Sequence, residues 1–293
     1  MTPRAIPFTK MQATGNAFVL VDAMALAGQH GPAERLDWPQ LAVETADPHF
    51  AVGHDGLLVV EASDAADFRQ RMFNPDGTED MCGNGLLCTA KHLHDTRRVR
   101  GRLMTIETIA GVSRVEVLQV KGARARVRAE LGRPVVRPLR LDPTPALGRL
   151  LPAGQRGPLL RPTYVSFGTP HVVVQADHNL PAGVWEQISA EMEHHPQLGE
   201  RVTATWFTRD AAGGLSARFW ERSVGETLAC GTGAASAAAV ALAQKPADGQ
   251  VTVSMPGGRV MVSRDEGGSF HVTGDAVTVF RGTWRVRGRP RGV

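Results

Sequence analysis

The stretch MCGNGLLCTA, residues 81–90, sets a thiol, Cys82, directly before Gly-Asn-Gly, and LACGTGAASA, residues 228–237, sets a second, Cys230, before Gly-Thr-Gly. With the two cysteines superposed, the flanks agree. Gly77 and Gly225 each stand five residues before the cysteine, Gly83 and Gly231 one after, and Gly85 and Gly233 three after. Each motif then enters a small-residue segment of helical composition, LLCTAKHL or AASAAAVALA. Self-similarity over a long period fixes the architecture before any single strand is assigned.

The repeat extends in both directions. Downstream, TIETIAGVSRVEV (105–117) and TVSMPGGRVMVS (252–263) each read as two β-branched strands joined by a glycine turn. Upstream, GNAFVLV from Gly15 matches GTPHVVV from Gly168. Between these landmarks LDWPQLAVETA, with Asp37 as N-cap and Pro39 in the first turn, precedes the strand GLLVVEA. Its counterpart VWEQISAEMEHH, with Trp185, Ile188 and Met192 at helical spacing, precedes VTATWFT. Each half therefore reads strand, helix, strands, Cys-loop, helix, strand pair, an α/β (α+β) fold of two pseudo-symmetric domains. Residues 133–162 hold seven prolines and read as a connector. The expected boundary lies near residue 128, giving domains 1–128 and 129–276. The last strand, in DAVTVFRGTW, follows the second copy, and topology lets 277–293 return to complete the first domain.

At 293 residues and 42% hydrophobic, the chain has room for two cores of ordinary size. The formal charge of +4 hides a near balance, Lys+Arg 33 against Asp+Glu 29. Two arginine concentrations, 97–102 and 285–291, lack interleaved aromatics and an amphipathic helix; they read as solvated surface, so no nucleic-acid partner is expected. The N-terminus has no apolar signal region and no window offers the ~18 to 20 apolar residues of a membrane span, which implies no membrane partner and a cytoplasmic location. Three cysteines without C-x-x-C spacing imply reduced thiols and no metal. Cys88 has no twin, since Ser236 stands at the equivalent place, and reads as core. The pairs His92/His94 and His194/His195 sit among charged residues and read as solvent-facing helix ends.

Two pseudo-equivalent domains meet across a cleft, so their equivalent loops face each other over whatever lies between. A cysteine before Gly-x-Gly at a helix start sits at unpaired N–H groups and the positive end of the helix dipole. That position is expected to lower a thiol pKa from ~8.5 and to hold a carboxylate. A small amino acid would lie with its α-carboxylate on both helix starts and its Cα between two sulfurs. One thiolate would take the Cα proton from one face while the opposite thiol delivers a proton to the other, inverting the centre. Substrate and product are mirror-related at that carbon, which accounts for the likeness of the halves. No cofactor is expected: Lys10, Lys91, Lys121 and Lys245 stand in no pyridoxal-phosphate motif. A Cys/His nucleophile using His171 would lack an orienting Asn or Asp and leave the twin thiol unexplained.

Four segments, KMQATGNAFVLVD, FNPDGTEDMCGNGLLC, SFGTPHVVV and ERSVGETLACGTGA, make the chain resemble the diaminopimelate epimerase family over nearly its full length. The resemblance implies that each domain is a curled, mainly antiparallel sheet around a central helix, with the active site in the interdomain cleft. It implies cofactor-independent epimerisation of LL-2,6-diaminopimelate to the meso form, in lysine and peptidoglycan precursor synthesis, and a homodimer. By the same resemblance Cys82 and Cys230 are the acid/base pair, and Gly83, Asn84, Gly231 and Thr232 bind the α-carboxylate. Asn16, Asn74, Glu221 and Arg222 contact the rest of the substrate, with Arg222 on the distal carboxylate, and His171 sits with Glu221 beside the reacting amino group. The sequence departs from the family pattern at Thr169 and Thr203, where asparagines that grip the distal end are usual. Threonine is shorter and carries one hydroxyl. A cofactor-independent racemase for a different amino acid is therefore a second reading, and a binding protein without turnover a third.

Overall fold

The computed structural model describes residues 5–30, 36–151, 153–175, 180–222, 224–244 and 249–285. The N-terminal half contributes β1 (Ala5–Ala13), β2 (Asn16–Asp22), α1 (Ala23–His30), α2 (Trp38–Ala46), β3 (Gly56–Glu61), β4 (Phe68–Phe73), β5 (Glu79–Asp80), α3 (Gly83–Asp95), β6 (Leu103–Thr108), β7 (Gly111–Lys121) and β8 (Arg124–Gly132). The C-terminal half follows with β9 (Val135–Pro138), α4 (Pro145–Leu150), α5 (Gly157–Leu160), β10 (Thr163–Ser166), β11 (Pro170–Gln175) and α6 (Ala182–Glu193). It continues through β12 (Thr203–Arg209), β13 (Leu215–Glu221), β14 (Gly225–Thr227), α7 (Gly231–Gln244), β15 (Gln250–Met255), β16 (Gly258–Arg264) and β17 (Phe270–Arg285).

The pairing pattern is the same in both halves. In the first, β1 runs antiparallel to β2, β2 parallel to β3, β3 antiparallel to β4, β4 parallel to β6, and β6, β7 and β8 antiparallel in turn. In the second, β10, β11, β12, β13, β15, β16 and β17 repeat that series of senses. The two sheets share a seam, where β8 pairs antiparallel with the start of β17. Beyond the seam each strand crosses over: β17 continues from Ala276 to Arg285 along β1, and the chain after β8 continues as β9 along β10. Residue 128 lies inside β8, and the structure of residues 286–293, with most of the second arginine concentration, lies outside the described residues.

Each sheet curls around its own helix. All residues of α3 from Gly83 to Leu93 are buried, as are Gly231–Ala239, Ala241 and Leu242 of α7. A helix that is apolar or small on every side belongs inside a core. Alanine and glycine dominate α7 because strands approach it closely: a Cβ on Gly233 would lie 2.6 Å from Phe219 Cδ1. Outer helices cover the other face of each sheet. Trp38, Leu41 and Ala42 of α2 pack on Val19, Leu57 and Val59, and Trp185, Ile188 and Met192 of α6 pack on Val172, Ala204 and Trp206. Covered on both faces, β3 reads GLLVV without alternation.

Several local expectations hold. Asp37 caps α2 by accepting from Gln40 N, with a proline in the first turn, and Cys88 is buried in the core around α3. Others are corrected. The proline-rich segment is not only a connector: β9 pairs with β10, and Ala146 and Leu147 of α4 join the core beneath α6. Two of the four histidines expected at the surface are buried. His92 sits 3.8 Å from Asp22, and His195 Nε2 lies 3.0 Å from the Asp142 carbonyl. His92 lies on a buried turn of α3, whereas His195 stands two residues beyond the end of α6, in a turn where its ring reaches the Asp142 carbonyl.

Candidate active site

The two Cys-loops have one local design. Cys82 is the N-cap of α3, with extended backbone, and its Sγ accepts from Gly85 N at 3.4 Å. Cys230 stands before α7, and its Sγ accepts from Gly233 N at 3.4 Å. The glycines in these motifs answer to close packing. A Cβ on Gly85 would lie 2.9 Å from Leu58 Cδ2, and one on Gly231 only 2.9 Å from Asn84 N. The second contact joins the two halves, for it shows the two helix starts pressed backbone to backbone. Two positive helix ends in contact repel unless an anion lies between them. The matched Gly77 and Gly225 have φ of 84° and 90°, the left-handed turn that leads into β5 and β14.

A cavity opens beside this junction, lined by Asn16, Asn74, Cys82, Thr169, Thr203, Glu221, Arg222, Cys230, Gly231 and Thr232. These ten positions, spread over both halves, were singled out from the sequence. Gly83, Asn84 and His171 stand behind the wall. Asn84 is fully buried and its Nδ2 donates to Asn16 Oδ1 at 3.5 Å. His171 is also fully buried; Nε2 is 3.0 Å from Thr232 Oγ1 and Nδ1 3.0 Å from Thr205 Oγ1. It supports Thr232 instead of facing the cavity. Burial, with the Arg222 charge nearby, lowers its pKa to about 3, so the ring is neutral.

Sequence reasoning passed over Asp55, Asp80 and Thr227, which also line the cavity. Asp55 Oδ2 accepts from Asn16 Nδ2 at 3.0 Å and from Ala17 N at 2.7 Å, fixing the asparagine amide. Asp80 forms an ion pair with Arg222. Thr227 Oγ1 donates to Glu221 Oε1 at 2.6 Å. The available signal was position: Asp55 immediately precedes β3, and Asp80 stands two residues before Cys82.

The electrostatics overturn one expectation. Helix-start N–H groups do favour the thiolates, but burial wins. Desolvation pushes Cys82 up to about 12, with the Glu221 and Asp80 charges adding to it, and holds Cys230 well above the ordinary thiol range. Both are thiols at neutral pH. Desolvation also pushes Glu221 up to about 7, opposed by hydrogen bonds from Thr227 and from the Cys230 thiol. The cavity thus holds two protonated sulfurs, with a carboxyl group beside Cys230 poised to gain or lose a proton near neutrality.

A sequence model of the diaminopimelate epimerase family matches residues 8–136 and 163–279. The chain belongs to the diaminopimelate epimerase family. The two matched segments each carry one Cys-loop. A diaminopimelate epimerase from Desulforudis audaxviator is 37% identical over 283 residues, covering 94% of this chain and 98% of its own length. One from Acetivibrio thermocellus is 33% identical over 280 residues, covering 94% and 97%. Among solved structures, a Bacillus anthracis phenazine biosynthesis protein of the PhzF family superposes with a TM-score of 0.73 at 19% identity, covering 97% of this chain and 100% of that one. A probable proline racemase from Agrobacterium radiobacter gives 0.70 at 16%, covering 98% and 94%. The structural likenesses establish the two-domain fold; the sequence relatives make this family member an isomerase.

Proposed function

We propose that the protein interconverts LL- and meso-2,6-diaminopimelate by proton transfer between Cys82 and Cys230, in the route to lysine and peptidoglycan precursors. The observation that carries this reading is the meeting of two equivalent Cys-capped helix starts at one cavity that also contains Arg222. The α-carboxylate takes the shared positive pole at Gly83, Asn84, Gly231 and Thr232, and the distal carboxylate takes Arg222. Asn16 and Asn74 contact the chain between, and His171 acts through Thr232.

The resting state requires an activation step, because both sulfurs are protonated. Cys230 passes its proton to Glu221, the carboxylate it already contacts, and becomes a thiolate. The thiolate takes the Cα proton from one face and Cys82 gives its own to the other. After turnover Cys230 is the thiol and Cys82 the thiolate, which is the state required for the opposite isomer. Desolvation and helix dipoles aimed at the developing enolate lower the barrier. The scheme uses no cofactor.

The experiment is exchange in D2O with reduced enzyme and LL-diaminopimelate. Deuterium should enter at one α-carbon, and its absence would sink the proposal. A panel of other amino acids in the same assay decides whether Thr169 and Thr203 have redirected the site to another substrate. The reading includes a cytoplasmic location; among the described residues no helix is long and apolar enough to cross a membrane. It also includes a homodimer, supported by the family resemblance and tested by sedimentation. A division into 1–128, completed by 277–293, and 129–276 belongs to the same proposal, as the two bodies that close on substrate.

A further inference from the structure

We propose that Asp80 is a specificity-determining residue which, assisted by Thr169, binds the ammonium group at the distal end of the substrate; the inference rests on the epimerase reading above. Asp80 ends β5 on the N-terminal side of the cleft, and its Oδ2 pairs with the Arg222 guanidinium from the other half. Its Oδ1 accepts from Met81 N at 2.7 Å and from Thr169 Oγ1 at 3.2 Å; the same hydroxyl lies 3.3 Å from the Met81 carbonyl. Both charged side chains keep some exposure, 19% for Asp80 and 24% for Arg222. Together with Asn74 they border both the inner cavity and a second groove beside it. The pair therefore stands where the inner cavity meets that groove.

This placement has a consequence for selection. Arg222, the cation available to a distal carboxylate, already has a carboxylate, so an entering substrate must displace Asp80 from it. A displaced Asp80 stays at the cavity wall, held by Met81 N and Thr169, and needs a new cation there. An α-amino acid head supplies both charges from one carbon. Its carboxylate takes Arg222 and its ammonium takes Asp80, giving two ion pairs where there was one. A head with a carboxylate alone would leave Asp80 buried under the substrate without a partner. The other two cavity carboxylates are less free to serve. Asp55 is bound by Asn16 and the Ala17 amide, and Glu221 by Thr227 and the Cys230 thiol. Asp80 is held across the cleft by a side chain that the substrate itself engages, and its carboxylate provides at the distal end what the short Thr169 and Thr203 side chains do not.

The test compares kcat/KM for LL-diaminopimelate with that for L-2-aminopimelate, which has the same carbon chain and both carboxylates but no distal amino group. The wild type should prefer diaminopimelate by at least a hundredfold. In Asp80→Asn the ratio should fall at least tenfold, chiefly by loss of diaminopimelate activity, with Asp80→Glu recovering part of it. Thr169→Val should lower the ratio threefold to tenfold, and serves if Asp80→Asn does not fold. A purely structural cross-cleft pair would depress both substrates equally and leave the ratio unchanged, which would overturn the inference while the epimerase reading stands. Failure of the wild type to exchange with diaminopimelate would instead defeat that reading, and this inference with it.

Discussion

Both sulfurs are thiols at neutral pH because desolvation, with the Glu221 charge nearby, costs an anion there more than the hydrogen bonds at the helix starts return. Cys82→Ser and Cys230→Ser should each lower kcat by 10²- to 10⁴-fold, the usual range for losing a positioned acid or base, with folding unchanged by circular dichroism. The pH profile follows from Glu221. Its pKa is raised to about 7, so below that it is protonated and cannot accept from Cys230, whereas above it the carboxylate is ready. The kcat/KM profile should therefore rise with pH to a plateau above about 7, while Cys82, pushed up to about 12, remains a donor throughout. Glu221→Gln should abolish that acid limb; an unshifted limb would assign it to another group. At this scale the sequence disclosed the thiols, because a cysteine before Gly-x-Gly states its own local geometry. It did not disclose their protonation, since desolvation depends on what the other half of the chain lays over them.

The glycines of α3 and α7 mark where elements touch. Gly231→Ala would push its methyl to 2.9 Å from Asn84 N and separate the two helix starts. An active-site displacement of about 1 Å costs on the order of 10²-fold, so kcat/KM should fall by about that much. A second contact joins the halves at the Thr14–Gly15 turn, whose φ values of 53° and 85° suit a tight hairpin between β1 and β2. A Cβ on Gly257 would lie 1.9 Å from the Thr14 carbonyl oxygen. Gly257→Ala should destabilise by about 1–3 kcal/mol through overpacking, read as a lower Tm. The helices and strands themselves were legible, since Asp37, the spacing of Trp185, Ile188 and Met192, and the paired glycine turns are local signals. The inward His92 and His195 were not, because charged sequence neighbours do not say which side of a helix, or of the turn after it, packs inward.

The molecule as a whole is two copies of one sheet-and-helix unit joined by exchanged strand ends. Each copy places a thiol at the same point of its unit, and both sulfurs line the one cavity; the proposed mechanism sets them on opposite faces of the substrate. Two such thiols should be joined by mild oxidation. Activity should then disappear and return with a dithiol reductant; full activity after oxidant treatment would mean that the sulfurs do not face each other.

What the sequence alone determined is whatever repeats or acts locally: the duplication, the two Cys-capped helix starts, the family, and ten of the cavity's wall positions. The tertiary structure alone decided the rest. It set Asp80 on Arg222 from 142 residues away, turned His171 behind Thr232, passed β17 along β1, buried Cys230 and left Cys82 partly buried. Those outcomes are absent from any short window because ion pairing and desolvation depend on distances in space. The chain fixes such distances only when its two halves have folded against each other.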